Sequence, residues 1–142
     1  MFKNIPKLIP PELMKYMMEM GHSDFMILTD ANFPAQSCGQ RVVRIDGVQT
    51  PELLEAVMEF FPLDNFVKDP VRLMSSRPEE PVPTVWETYR EILQRHNEEA
   101  AFDDFHFLDR LSFYEEAQKA YVIVQTGDTT RYANILLQKG VC

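Results

Sequence analysis

The chain predicts an α/β fold: a single domain with a mostly buried central sheet of about six strands and helices on both faces. Three observations predict it. Short unbroken apolar runs such as Phe25-Met26-Ile27-Leu28 and Tyr121-Val122-Ile123-Val124 read as strands covered on both sides. Segments with apolar residues at helical spacing alternate with those runs. The length of 142 residues suits one domain, residues 1–142. At that size folding hides roughly two-thirds of the unfolded surface, enough for a substantial core.

Pro10-Pro11-Glu12 opens the first helix, because proline is tolerated where the amide has no intrahelical partner. Leu13, Met14, Met17, Met18 and Met20 form its apolar face, and Gly21 closes it. The run from Phe25 to Leu28 follows, with His22 before it and Asp30 after it. Ala31 to Gln40 has the composition of a loop, and Arg41-Val42-Val43-Arg44-Ile45 is extended up to Asp46-Gly47. Thr50 stands as N-cap with Pro51 at the first helical position. Leu53, Leu54, Val57, Met58, Phe60 and Phe61 give that helix its apolar face, and Pro62 stops it.

Val71-Arg72-Leu73-Met74 is a third strand, and the connection after it is stiffened by Pro78, Pro81 and Pro83. From Thr84 onward Val85, Trp86, Tyr89, Ile92, Leu93 and His96 recur at helical spacing opposite Glu87, Arg90, Glu91, Arg95 and Glu98, the clearest amphipathic helix of the chain. Phe105 to Leu108 is extended, and Ser112-Phe113-Tyr114-Glu115 matches a capping box at the head of a short helix. Tyr121 to Val124 and Asn134 to Leu137 complete the strands.

The formal net charge of −8 disfavours nucleic acid or an anionic membrane as partner, since both need clustered Lys and Arg. Pro6, Pro10, Pro11 and scattered charges interrupt the first twenty residues, so no apolar leader or span is expected there and a cytoplasmic setting is. Cys38 and Cys142 lack metal-ligand spacing and read as reduced thiols. The sequence carries no Gly-rich phosphate loop followed by lysine, dinucleotide fingerprint, nucleophile elbow or zinc-ligand cluster. No metal or cofactor is expected.

What remains is a set of polar residues at strand ends: His22, Asp30, Arg110, Tyr132 and Asn134. Each has two readings. His22 suits a helix C-terminus as imidazolium as well as it suits proton transfer. Asp30 caps a turn or orients a ligand, and Arg110 either forms a surface ion pair with the neighbouring Asp109 or belongs to a site. Tyr132 and Asn134 project to the same side if their segment is extended, and then serve either a turn or a polyhydroxylated ligand.

Pro11-Glu12-Leu13, the stretch from Gly21-His22 to Ala35, Arg44-Ile45-Asp46-Gly47, the run from Phe113 to Ala120, and Tyr132-Ala133-Asn134-Ile135-Leu136-Leu137 through Gly140-Val141 together carry a family likeness. The chain resembles the sugar mutarotase family that contains the fucose mutarotases and ribose pyranases. The likeness is dense in the first third and last quarter and thin between Pro62 and Phe105. It implies the ribose pyranase-like fold, a monosaccharide substrate, no cofactor, and a ring-like homo-oligomer, a decamer among the candidate sizes, with sites at subunit contacts. By position it implies His22 as catalytic acid/base, Asp30 and Arg110 as sugar-binding residues, and Tyr132, Ala133 and Asn134 as the segment that holds the sugar and assists proton transfer. Ala133 is ribose-like, fucose-type members more often having glycine there, whereas Arg110 and Phe113-Tyr114-Glu115 are fucose-like. The implied activity is interconversion of the α- and β-anomers of L-fucose and related aldoses. Pyranose–furanose interconversion of ribose, or sugar binding without catalysis, are the alternatives.

The chemistry suits such residues. Interconverting anomers needs one proton delivered to the ring oxygen and one removed from the anomeric hydroxyl, with no redox step. Positioned acid/base groups accelerate such steps by about 10²–10⁴-fold. An imidazole, with a reference value of ~6.5, can take either part. Eight extended steps from His22 to Asp30 would nevertheless span about 26 Å at roughly 3.3 Å each, too far for one sugar. Hence the expectation that His22 and the Tyr132 segment of one site come from different subunits.

Overall fold

The computed structural model describes residues 1–142. Five helices and six strands follow one another as α1 (Pro11–Glu19), β1 (Phe25–Thr29), α2 (Ala35–Cys38), β2 (Val42–Ile45), α3 (Thr50–Met58), β3 (Val71–Met74), α4 (Val85–Arg95), β4 (His106–Leu108), α5 (Arg110–Lys119), β5 (Val122–Thr126) and β6 (Ile135–Gln138). The strands form one sheet in the order β2-β5-β1-β6-β3-β4. All run parallel except β6, which is antiparallel to both β1 and β3.

Alternation along the strands sorts the core into two layers, because successive side chains point to opposite faces. Met26 and Leu28 of β1 join Leu13 and Met17 of α1, Leu53 and Val57 of α3, and Tyr89 and Leu93 of α4 in the larger cluster. Ile27 faces the other way and packs with Ala35 of α2, Phe113 and Ala117 of α5, and Ile123 of β5. Helices thus cover both faces of a mixed six-stranded sheet, and β1, β5 and β6 are buried almost throughout. No helix is long and apolar enough to cross a membrane.

Several local expectations are corrected. The stretch expected as loop from Ala31 to Gln40 contains α2, a four-residue turn too short to show helical periodicity. The α3 helix is capped one residue earlier than expected, the Glu52 carboxylate accepting from the Gln49 amide at 2.7 Å, and it ends at Met58 rather than at Phe61. Helix α5 is capped by Asp109, not by Ser112: the Asp109 carboxylate accepts both the Ser112 amide (2.9 Å) and its hydroxyl (3.0 Å). Ionised Asp109 is the stronger acceptor, and its negative charge suits a helix N-terminus.

One glycine is required by close approach. A Cβ at Gly127, just past β5, would lie 1.8 Å from the Asp46 carbonyl oxygen in the β2–α3 turn. The clash is with backbone, so no rotamer relieves it. Gly127→Ala is expected to destabilise the fold by about 3 kcal/mol, at the upper end of overpacking costs. Urea denaturation checks this, and a midpoint equal to wild type would contradict it.

Candidate active site

Strand direction decides which loops meet. Because five strands share one direction and β6 opposes them, the segments after β1, β3 and β4 and the segment before β6 open at the same edge of the sheet. The C-terminal edge of parallel strands is the usual place for a ligand crevice. A cavity of about 210 Å³ lies there. Asp30, Asn32 and Phe33 reach it from the β1 side, Met74 and Arg77 from β3, Arg110 and Tyr114 from α5, and Arg131, Tyr132 and Asn134 from the approach to β6. Four of the polar residues singled out in the sequence, Asp30, Arg110, Tyr132 and Asn134, therefore line one cavity.

Of the two readings left open for the Tyr132 segment, the turn is the one observed. Tyr132 has φ of 60°, the left-handed region that costs a non-glycine residue roughly 1–2 kcal/mol. Helix α4 holds it there: the Trp86 indole Nε1–H donates to the Tyr132 carbonyl at 2.9 Å, and the Tyr89 hydroxyl donates to the Ala133 carbonyl at 2.6 Å. Burial pushes the Tyr89 phenol far up, so it stays protonated and remains a donor. Ala133, the other residue of that segment expected at the sugar, is fully buried and does not line the cavity. Asn134 spends its Oδ1 on the Asp30 amide at 2.9 Å, tying the β6 approach to the end of β1.

Asp30 is buried, and its carboxylate accepts the Asn32 amide at 2.8 Å. Burial pushes this carboxyl above the usual range against the opposing pull of that hydrogen bond. From behind, Gln125 Nε2 donates to the Ala31 and Phe33 carbonyls at 3.1 and 3.0 Å, fixing the loop. On the open side Arg131 pairs with Glu80 of the proline-rich connection at 2.8 Å, its guanidinium 5.6 Å from the Tyr132 ring centre. Arg77 and Arg110 make no ion pair, unlike Arg44, Arg72, Arg90, Arg95 and Arg131.

His22 does not line this cavity. It precedes β1 and so stands at the opposite edge of the sheet, where the Ser23 amide donates to the Lys139 carbonyl just past β6. Its Nε2 lies 3.2 Å from Oδ2 of Asp64, a carboxylate with no accessible surface, while the imidazole itself is 42 % exposed and tilted against Phe66 at 5.4 Å. Burial alone would raise the Asp64 carboxyl, but hydrogen bonds from the Phe66 amide, Gln138 and His22 hold it below the usual range. An ionised Asp64 is acceptor-only, so Nε2 is the nitrogen that donates to it, which leaves Nδ1 as the nitrogen facing away from that contact. A base oriented by a buried carboxylate is the arrangement proton transfer calls for. Sequence reasoning missed Asp64, Arg77 and Arg131. Asp64 falls in a stretch without periodicity, and nothing local marks its contact with a residue 42 positions earlier.

Comparison with known proteins places this geometry in context. The model of a family described as the RbsD / FucU transport protein family matches residues 3–142. The fold is similar to the fucose mutarotase of Streptococcus pneumoniae solved in complex with L-fucose, with a TM-score of 0.93 and 43% identity over 99% of each chain. It is similar to FucU from Bifidobacterium longum, with a TM-score of 0.92 and 44% identity, again over 99% of each chain. RbsD of Bacillus subtilis complexed with D-ribose shares the fold at a TM-score of 0.70 and 21% identity, covering 100% of this chain and 99% of that one.

Proposed function

Because the chain belongs to the RbsD / FucU transport protein family, we propose that it is a sugar mutarotase interconverting the α- and β-anomers of L-fucose. One observation carries this: 43% identity over 99% of the chain to a fucose mutarotase that holds L-fucose. The convergence of Asp30, Arg110, Tyr132 and Asn134 on one monosaccharide-sized cavity supports it.

In this mechanism the sugar lies in the cavity with its hydroxyls held by Asp30, Arg110, Tyr132 and Asn134. A base takes the proton of the anomeric hydroxyl and an acid delivers one to the ring oxygen. The C1–O5 bond breaks, the open aldehyde turns about C1–C2, and closure on its other face returns both protons. His22 is the principal acid/base group, oriented by Asp64, and the Tyr132 hydroxyl is the relay. Each proton taken up is given back and no carbon changes oxidation state, so the step requires no redox cofactor.

His22 and the cavity occupy opposite edges of one subunit's sheet, separated by the length of β1. The complete site is therefore shared: His22 of one subunit meets the Tyr132 segment of another in a cytoplasmic ring-like homo-oligomer. Exposed apolar residues beside both half-sites, Phe66 against His22 and Leu111 next to Arg110, suit burial in such a contact.

The test is two-dimensional exchange NMR on L-fucose at anomeric equilibrium. Exchange cross-peaks between the α and β signals should grow in proportion to enzyme concentration. Unchanged exchange with saturable L-fucose binding would make the protein a sugar-binding oligomer instead. D-ribose in the same experiment reports pyranose–furanose exchange.

A further inference from the structure

The cavity reverses the charge of the molecule around it. The chain carries a formal net charge of −8, yet the cavity lining holds three guanidinium groups, Arg77, Arg110 and Arg131, against the single carboxylate of Asp30. Glu80 compensates Arg131 at 2.8 Å. Neither Arg77 nor Arg110 has a carboxylate at ion-pair distance, although Glu80 also feels the Arg77 charge, and they enter from different elements, one from the connection after β3 and one from the first turn of α5. Asp30 makes no ion pair with either, being buried at the end of β1 with its carboxylate accepting the Asn32 amide, and with Glu80 and Asp30 both counted the three guanidinium groups still leave an excess of one positive charge. A neutral 6-deoxyhexose needs hydrogen-bond donors and acceptors but no net positive field. Two guanidinium groups without an ion-pair partner, and a surplus of one positive charge in a concave site, focus such a field and favour an anion there.

We propose that this cavity also binds and anomerises aldoses bearing an anionic group, a carboxylate or a phosphate, gripped by Arg77 and Arg110. The step is the same ring opening and closing, so no co-reactant is required, and the inference rests on the mutarotase reading.

The experiment uses the full chain and three sugars of one configuration. L-galacturonate is L-fucose with a carboxylate in place of the C6 methyl, L-galactose 6-phosphate carries a phosphate there, and L-galactose is the neutral control. Exchange NMR at low salt should give at least one charged sugar a kcat/KM about tenfold above L-galactose, a margin that shrinks as salt screens it. Which charged sugar shows the margin tells carboxylate from phosphate. Arg77→Met and Arg110→Met should each erase the margin, and Arg77→Lys should keep most of it. No margin in the wild type, or a margin that survives both methionine variants, overturns the proposal. L-fucose tells the two failures apart: accelerated L-fucose exchange without a charged-sugar margin sinks this inference alone, whereas no acceleration of any sugar removes the mutarotase reading with it.

Discussion

His22→Ala is expected to slow enzyme-dependent L-fucose anomer exchange by about 10²–10⁴-fold, the range that positioned acid/base groups supply. The loss should fall on kcat rather than on sugar binding, since the hydroxyls are held by cavity residues other than His22. Folding should survive: the imidazole is half-exposed, and Asp64 keeps the Phe66 amide at 2.9 Å and Gln138 Nε2 at 3.0 Å. A mixing experiment separates shared from self-contained sites. His22→Ala and Tyr132→Phe subunits, each impaired alone, should regain activity when co-assembled, with about a quarter of sites fully wild type under random assortment. A mixture no more active than its components would place His22 and Tyr132 in the same subunit's site, contrary to the proposed sharing.

The largest loss of stability is expected at Asp128. This buried carboxylate accepts the Thr130 amide at 2.8 Å and the Thr50 amide at 3.0 Å, while the residue's own carbonyl accepts the Ala31 amide at 2.7 Å. It joins the β5–β6 connection to the start of α3 and to the Asp30 loop. Asp128→Ala would leave the buried Thr50 amide unsatisfied, at about 1–3 kcal/mol, and remove the partly buried bond to the exposed Thr130, at about 1 kcal/mol, for a total of roughly 2–4 kcal/mol. Loss of urea-denaturation free energy well below that range would show that water replaces the carboxylate.

The sign of the pH dependence follows from the same contacts. Burial alone would raise the Asp128 carboxyl, but the Thr130 and Thr50 hydrogen bonds outweigh it and hold the group below its ordinary value of 3.8. A depressed folded value means that its contribution is complete above the ordinary carboxylate range and disappears as pH falls through the folded value. Asp128→Asn should therefore flatten part of the acid limb of the stability curve as well as lower the plateau, because one side of the amide can no longer accept.

Much of the fold was legible because its causes are local. The apolar run Phe25–Leu28 and the helical spacing from Val85 to Leu93 predict β1 and α4 close to their observed ends. Proline placed the starts of α1 and α3 to within a residue, since its fixed φ and missing amide suit a first turn. Where two candidate caps compete, as Asp109 and Ser112 do, the winner depends on relative acceptor strength and on where the preceding strand delivers the chain, so Ser112 was the wrong choice.

Among the site residues, chemistry-bearing side chains at strand ends were recognisable: His22, Asp30, Arg110, Tyr132 and Asn134 all stand beside strand or helix termini. Their grouping was not. Asp30 and Asn134 meet across 104 positions because β6 runs against β1, and strand direction is a property of the assembled sheet. Asp64, the orienting partner of His22, and the left-handed turn at Tyr132, held by Trp86 and Tyr89, likewise have causes distant in sequence.

From the sequence alone came the α/β class, the number of strands, and five polar side chains near strand ends, His22, Asp30, Arg110, Tyr132 and Asn134. Only the tertiary structure decided that four of them share one cavity while His22 faces away at the other end of β1. Hydrophobic periodicity is written into neighbouring residues. The edge of a sheet at which a loop emerges is set by pairing between strands that are far apart along the chain.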